Sequence, residues 1–259
     1  MNAVPTLLEA RGLLAGMADP IERIPGTVRV TDDGLVLENP EARGAITVHM
    51  MVELADAVLA WQEACPAVVV VRGSGPGVFC SGGHLGQVRA SLLDPESGER
   101  MSRCMTAVLD GLACLPAVVV MWVDGPALGG GAEVLTAGDA VFVGPSARIG
   151  FVHARLGVVP GWGGATRLTR ALGPRQALEL LASAPVLGPE EAVRTGLARG
   201  DLDAGERFLA EVRSRPADAV RAAKRQVLAA CPLVRDGQEA TLFGEVWGSP
   251  THRACLDRG

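Results

Sequence analysis

No uninterrupted apolar run in this chain of 259 residues approaches the roughly 20 that a membrane-spanning helix needs, so no membrane partner is expected. The opening stretch MNAVPTLLEARGLLAGMADP has no cationic start, and Glu9 interrupts its apolar residues, so no secretory leader is expected either. No C-x-x-C pair occurs. Cys65, Cys80, Cys104, Cys114, Cys231 and Cys255 are widely spaced in mostly apolar contexts and read as reduced core residues of a cytoplasmic protein. Neither they nor the four histidines show ligand spacing, so no metal is expected. No basic cluster stands out from the formal net charge of -5, which excludes an electrostatic footprint for nucleic acid. Tyrosine is absent too; beside the abundant Ala, Val, Arg and Gly this is compositional bias, and no function is read from it.

The chain is long enough to bury a sizeable core, and no linker-like composition divides it. Residues 27–38 read as two short strands around Asp32-Asp33-Gly34. Thr47 to Cys65 reads as a helix capped by Thr47, with Met51, Leu54, Ala55, Val58 and Leu59 on one face. CPAVVVVRGSG at 65–75 returns fifty positions later as LPAVVVMWVDG at 115–125, an internal repeat of a strand apolar on both faces. With the helical stretch 99–113 between them, these strands imply a parallel sheet covered by helices, an α/β fold. A third strand is expected at AVFVG, 140–144. Beyond it the pattern turns helical, with PRQALELLAS at 174–183, PEEAVRTG at 189–196 and PADAVRAAKRQVLAAC at 216–231, each opening on a proline at a first helical position. The expected organisation is an N-terminal extension over 1–25, a core over 26–200 and a C-terminal helical subdomain over 201–259.

Ligands gather at the carboxyl ends of parallel strands, and both repeat strands end in glycine-bearing loops, Gly73 to His84 and Gly125 to Gly131. The second carries Gly129, Gly130 and Gly131, with Glu133 close behind. A glycine triplet at a helix start is either an anion cradle or a tight strand-to-helix turn. No Lys-Ser or Lys-Thr follows it and no G-x-G-x-x-G frame is present, so a phosphate-binding loop and a dinucleotide fold are excluded. Glu133 between Ala132 and Val134 is either functional or a structural partner of an arginine such as Arg148, because an unpartnered buried carboxylate costs several kcal/mol.

Four segments resemble the crotonase, or enoyl-CoA hydratase/isomerase, superfamily over roughly Val28 to Pro250. FCSGGHL at 79–85 is similar to its F-S-A-G-A-D-L loop and DGPALGGGAEVLTAGD at 124–139 to its second oxyanion segment. LGVVPGWGGATRL at 156–168 is similar to its L-G-x-x-P-x-x-G-G-x-x-R-L turn, and LENPEARGAITVHMMVEL at 37–54 to its amino-terminal strand and helix.

The resemblance implies a crotonase-type spiral of repeated ββα units, a homotrimer or dimer of trimers, and an acyl-CoA thioester as substrate, with coenzyme A entering as part of that substrate and no separate cofactor. Matched by position, the N–H groups of Gly83 and Gly130 are the oxyanion donors, flanked by Ser81, Gly82, Leu85 and Gly129 on the substrate. Hydratases of the family carry one glutamate in the segment of Glu133 and a second where this chain has His153. The missing second carboxylate weakens hydration. GFVHARLGVVPGWGGATRL, GTVRV and EVWGSP look most like members that decarboxylate ethylmalonyl-CoA or methylmalonyl-CoA. On that reading Glu133 and His153 place the substrate carboxylate and return a proton, the donor among the two being open, while Trp162, helped by Phe151 and Val152, walls the acyl branch. Arg43 and Lys224 are candidates for the CoA phosphates, and His84, Asp139 and Cys80 are read as structural. The alternatives are an enoyl-CoA hydratase or isomerase, and an idle fold that binds acyl-CoA or serves as a scaffold.

Overall fold

The computed structural model describes residues 4–231 and 237–257; the ends of the N-terminal and C-terminal stretches read above, at 1–3 and 258–259, lie outside the described residues, as do residues 232–236. The first helix, α1 (Leu7–Ala18), begins in a reciprocal cap in which the Thr6 side chain accepts from the Glu9 N–H while the Glu9 carboxylate accepts from the Thr6 N–H. Its buried stripe of Leu7, Ala10, Leu14 and Ala18 packs against α2 (Val48–Glu63) and α4 (Pro95–Ala113). Burial of each leucine contributes about 1.5–3 kcal/mol, which fixes this N-terminal segment to the core.

The expected hairpin is present as β1 (Thr27–Thr31) and β2 (Gly34–Glu38), paired antiparallel. β2 then begins a parallel run with β3 (Val68–Gly73), β4 (Val118–Val123), β6 (Ala140–Val143) and the short β8 (Gly200–Asp201). The two halves of the sequence repeat are neighbours in register, with Val68 opposite Val118 and Val70 opposite Val120. Alternate residues explain why the runs are unbroken. Val69, Val71, Val119 and Met121 face the main core under α1, α2 and α4, while Val68, Val70, Val120 and Phe142 pack on the other face with Leu209 of α9 (Leu202–Arg213).

Between β4 and β6 lie β5 (Pro126–Leu128) and α5 (Gly130–Leu135); β5 pairs in parallel with β7 (Arg148–Gly150) as a separate small sheet that the sequence pattern does not predict. The other helices are α3 (Leu85–Ser91), α6 (Gly164–Leu172), α7 (Pro174–Ser183), α8 (Pro189–Arg194), α10 (Ala217–Ala230), α11 (Gln238–Val246) and α12 (Pro250–Leu256). Proline opens α7 and α8 as expected; at α10 the proline, Pro216, is the cap and the helix starts one residue later. Among the described residues no helix is long and apolar enough to cross a membrane.

Candidate active site

The loops after the two repeat strands are joined backbone to backbone. Cys80 donates its N–H to Pro126 O at 2.9 Å and accepts from Leu128 N–H at 3.1 Å, as a short parallel bridge. On its other side the same loop is held by Ile46, which donates to Gly82 O at 2.8 Å and accepts from His84 N–H at 2.9 Å. A side chain on Gly131 would place Cβ 1.9 Å from the Cys80 carbonyl oxygen, so only glycine permits this approach. Gly83 and Gly130 thereby stand on adjacent loops, and among the described residues neither of their N–H groups has a hydrogen-bond acceptor. The Trp162 six-membered ring lies against both. A Cβ on Gly83 would meet it at 3.6 Å and one on Gly130 at 2.5 Å.

Glu133, 2% exposed, organises the opposite side. Its Oε1 lies 3.0 Å from Nε2 of His153 and accepts Gly161 N–H at 3.2 Å, while Oε2 accepts Trp162 N–H at 2.7 Å and Gly164 N–H at 3.0 Å. Burial pushes the carboxyl pKa up, but the hydrogen bond and charge of His153 and the N–H groups of Trp162 and Gly161 outweigh it and hold the group below the ordinary range. A carboxylate with both oxygens filled keeps its charge and fixes what surrounds it. Here it fixes the Trp162 loop and sets the His153 tautomer, Nε2 carrying the proton toward Oε1. The second ring nitrogen, Nδ1, is buried and without a partner among the described residues. The arginine alternative for Glu133 fails, because Arg148 turns its guanidinium to the Ala147 carbonyl at 2.7 Å.

These groups line a cavity of about 130 Å³ together with Ser81, Gly82, Leu85 and Gly129. A space of that size suits a short acyl group rather than a long chain. Three expected residues stand elsewhere. Phe151 is 2% exposed within the main core, and its neighbour Val152 lines the cavity instead. Arg43 is exposed beyond the turn Pro40–Ala42, beside the Ala42 carbonyl that accepts the Ser81 hydroxyl at 3.2 Å, so it sits next to that loop but outside the cavity. Lys224 is buried and donates to Asp139 at a separate cleft with Thr136 and Arg170, so its ammonium is already paired, away from the thioester end. His84 caps α3 by accepting Gln87 N–H at 3.3 Å, and burial pushes the Cys80 thiol up to about 12, which leaves it inert.

The structure adds residues that the sequence pattern left unassigned. Arg167 pairs with Asp110 at 2.7 Å inside the protein and donates to the Trp162 carbonyl at 2.5 Å, while the Ser102 hydroxyl donates to the Gly161 carbonyl. Glu239 accepts the N–H groups of Ala165 and Thr166 at 3.1 and 2.9 Å, so a second carboxylate caps the start of α6 beside Glu133. Burial, then the charge of Glu133, push the Glu239 carboxyl above its ordinary value. From α11 and α12, Phe243, Trp247, His252 and Leu256 close the far end of the cavity. The legible signals were the Arg of the LGVVPGWGGATRL motif and an acid, Asp110, inside an otherwise apolar helical run.

The family described as enoyl-CoA hydratase/isomerase matches residues 34–241. The chain is 35% identical over 239 residues to a protein of Gallus gallus named ethylmalonyl-CoA decarboxylase, covering 86% of this chain and 79% of that one. It is 33% identical over 257 residues to the Homo sapiens protein of the same name, covering 91% and 82%. Among solved structures, an enoyl-CoA hydratase from Bacillus halodurans superposes with a TM-score of 0.77 at 19% identity, over 90% of this chain and 99% of that one. At that identity the likeness shows the crotonase fold, as the sequence motifs implied.

Proposed function

The chain belongs to the enoyl-CoA hydratase/isomerase family, and on that premise we propose that it decarboxylates a short branched malonyl-type CoA thioester, ethylmalonyl-CoA or methylmalonyl-CoA. The observation that carries this reading is the saturation of Glu133. With Gly161, Trp162, Gly164 and His153 on its two oxygens, it has no lone pair placed to activate a water, which hydration requires. The unengaged N–H groups of Gly83 and Gly130, by contrast, suit a reaction whose one large demand is an oxyanion.

In the proposed reaction the bond between the α-carbon and the free carboxylate breaks, its electron pair moves to the thioester, and carbon dioxide leaves. The thioester oxygen becomes an enolate oxygen held by Gly83 and Gly130, each donor supplying about 2.7–4 kcal/mol on the precedent of other oxyanion holes. His153, which takes a second proton from solvent on Nδ1, then delivers that proton to the α-carbon and is left as the neutral ring with Nε2–H on Glu133. Glu133 is a positioning residue, its carboxylate stabilising the imidazolium through Nε2–H. Trp162 and the apolar walls shield the carboxylate from water, which favours dispersal of its charge. Coenzyme A enters as part of the substrate, and the assembly that goes with the reading is a cytoplasmic homotrimer or dimer of trimers.

Purified protein incubated with ethylmalonyl-CoA and methylmalonyl-CoA is expected to release carbon dioxide and the shorter acyl-CoA. Turnover of neither removes the proposal, and loss of crotonyl-CoA absorbance in their place would point to hydration.

A further inference from the structure

His252 is a polar side chain of the cavity that the reaction above does not use. It is 2% exposed on α12, and its ring packs on Trp247 with centroids 4.6 Å apart. Its Nδ1 accepts the Gly248 N–H at 2.9 Å, which puts the ring proton on Nε2. Burial and the charge of Arg253 lower its pKa, so the ring stays neutral. Among the described residues Nε2 has no hydrogen-bond partner, and the ring lines the cavity.

Most other polar side-chain atoms at the cavity are committed among the described residues, His153 Nδ1 and the Trp162 indole N–H excepted. The Ser81 hydroxyl donates to Ala42 O, both Glu133 oxygens are filled, and the Nε2–H of His153 goes to Glu133. Much of the remaining wall is apolar, Leu85, Val88, Met101, Val158 and Phe243 among it. His252 therefore adds a side-chain N–H to the cavity wall, beside the His153 Nδ1 that the reaction uses and the Trp162 indole N–H.

We propose that the Nε2–H of His252 holds the free carboxylate of the substrate and selects carboxylated acyl groups over uncharged ones. This rests on the decarboxylase reading, which puts a carboxylate in the cavity. An uncharged donor suits the task better than a lysine or arginine. The carboxylate loses its charge as the bond breaks, so a full cation would stabilise the ground state more than the transition state and slow the step. A single neutral hydrogen bond orients the leaving group and releases it easily.

Two substitutions separate this role from a structural one. His252→Asn keeps an acceptor near Nδ1 for Gly248 and removes the Nε2 donor; His252→Gln reaches the Nε2 position with an amide N–H and gives up the Gly248 bond. For His252→Asn, kcat/KM with ethylmalonyl-CoA is expected to fall about ten- to hundredfold, mostly through KM. Its calorimetric Kd for butyryl-CoA, the uncharged product, stays within about twofold of wild type on the same argument. His252→Gln keeps most of the selection at a lower Tm. The reverse pattern, equal loss toward both thioesters, or no change in either variant overturns the proposal. Should the wild type turn over neither malonyl-type thioester, the decarboxylase reading has failed. The ratio of Kd values for ethylmalonyl-CoA and butyryl-CoA in the same three proteins then tests the His252 donor by itself.

Discussion

Replacing Glu133 by glutamine preserves the size of the side chain and removes its charge, and the structure sets the size of the effect. Oε1 serves His153 Nε2 and Gly161 N–H, and Oε2 serves Trp162 and Gly164 N–H. A glutamine presents one oxygen to one pair and an NH2 group to the other, so two of these four donors lose their acceptor and face a donor instead. At about 1.5–3 kcal/mol for each hydrogen bond to a charged group, the loss is about 3–6 kcal/mol. Native proteins are stable by about 5–15 kcal/mol, so this is a large fraction of the whole. For a chain of this size each kcal/mol shifts Tm by about 2–4 °C, which puts the expected fall at about 6–24 °C. The sign of the pH dependence follows from the lowered pKa. The carboxylate contributes its stability above the ordinary carboxyl range and loses it as pH falls through the folded-state pKa, so the gap between wild type and variant narrows in acid. Calorimetric melts at pH 7 and pH 4, run beside turnover assays, give both quantities. A Glu133→Gln protein that melts within about 2 °C of wild type while losing all turnover would refute the anchoring argument and make the carboxylate itself a reacting group.

The glycines offer a graded test: Gly131→Ala drives Cβ to 1.9 Å from a backbone oxygen and is expected to abolish soluble protein, Gly130→Ala crowds the Trp162 ring at 2.5 Å and to cost most of the turnover, and Gly83→Ala, at an ordinary 3.6 Å, to keep both fold and activity. Circular dichroism and a decarboxylation assay on the three variants check the order. Lys224→Met breaks the pair with Asp139 and is expected to lower stability by about 1–3 kcal/mol, less than for a fully buried pair because Asp139 is partly exposed, with KM for the thioester unchanged; a rise in KM alone would restore Lys224 to the CoA site. Because the Glu239 pKa is raised, its contribution is fully present below the ordinary carboxyl value and is lost as pH rises through the folded-state pKa. Glu239→Gln should therefore gain in Tm relative to wild type between pH 5 and pH 8, and a constant difference across that range would contradict the assignment.

What was legible in the sequence followed from periodicity and from backbone necessity. The repeat separated by fifty positions announced two buried strands, and their pairing in register, Val68 with Val118, needs nothing beyond unbroken β-branched runs with helices between them. Glu133 stood out because an isolated carboxylate in an apolar helix has few explanations, and Gly83, Gly130, His153 and Trp162 through the match of their segments to the family's motifs. The orientation of Phe151 and the pairing of Lys224 escaped the sequence for a common reason. Nearness in sequence to a site residue does not decide which way a side chain points, and a lysine's charge does not disclose an acidic partner eighty-five positions away. Arg167 and Asp110 each left a local signal, but their pairing spans fifty-seven positions; Glu239 acts through a contact of long sequence separation and α12 reaches the cavity only through tertiary packing, so no local pattern carried those.

The same saturation that removes Glu133 from water activation explains why a histidine stands opposite it. A carboxylate that accepts the Gly161, Trp162 and Gly164 N–H groups is held at the start of α6, where the helix dipole favours its charge, and its remaining contact goes to His153. A second carboxylate in place of His153 would set two negative charges about 3 Å apart in a buried space, and one of them would have to take up a proton. Glu239, farther along the same helix start, already shows that pressure in its raised pKa. An imidazole relieves it. The Nε2–H satisfies Oε1, and the buried Nδ1, without a partner among the described residues, is left to the substrate. On the proposed reading the cost of leaving that nitrogen unpaired, about 1–3 kcal/mol, is recovered when it carries the proton that the reacting carbon takes up. The chain has thus exchanged a carboxylate pair that activates water for an anchored carboxylate and one proton-bearing ring, the smallest set that an enolate formed by loss of carbon dioxide requires.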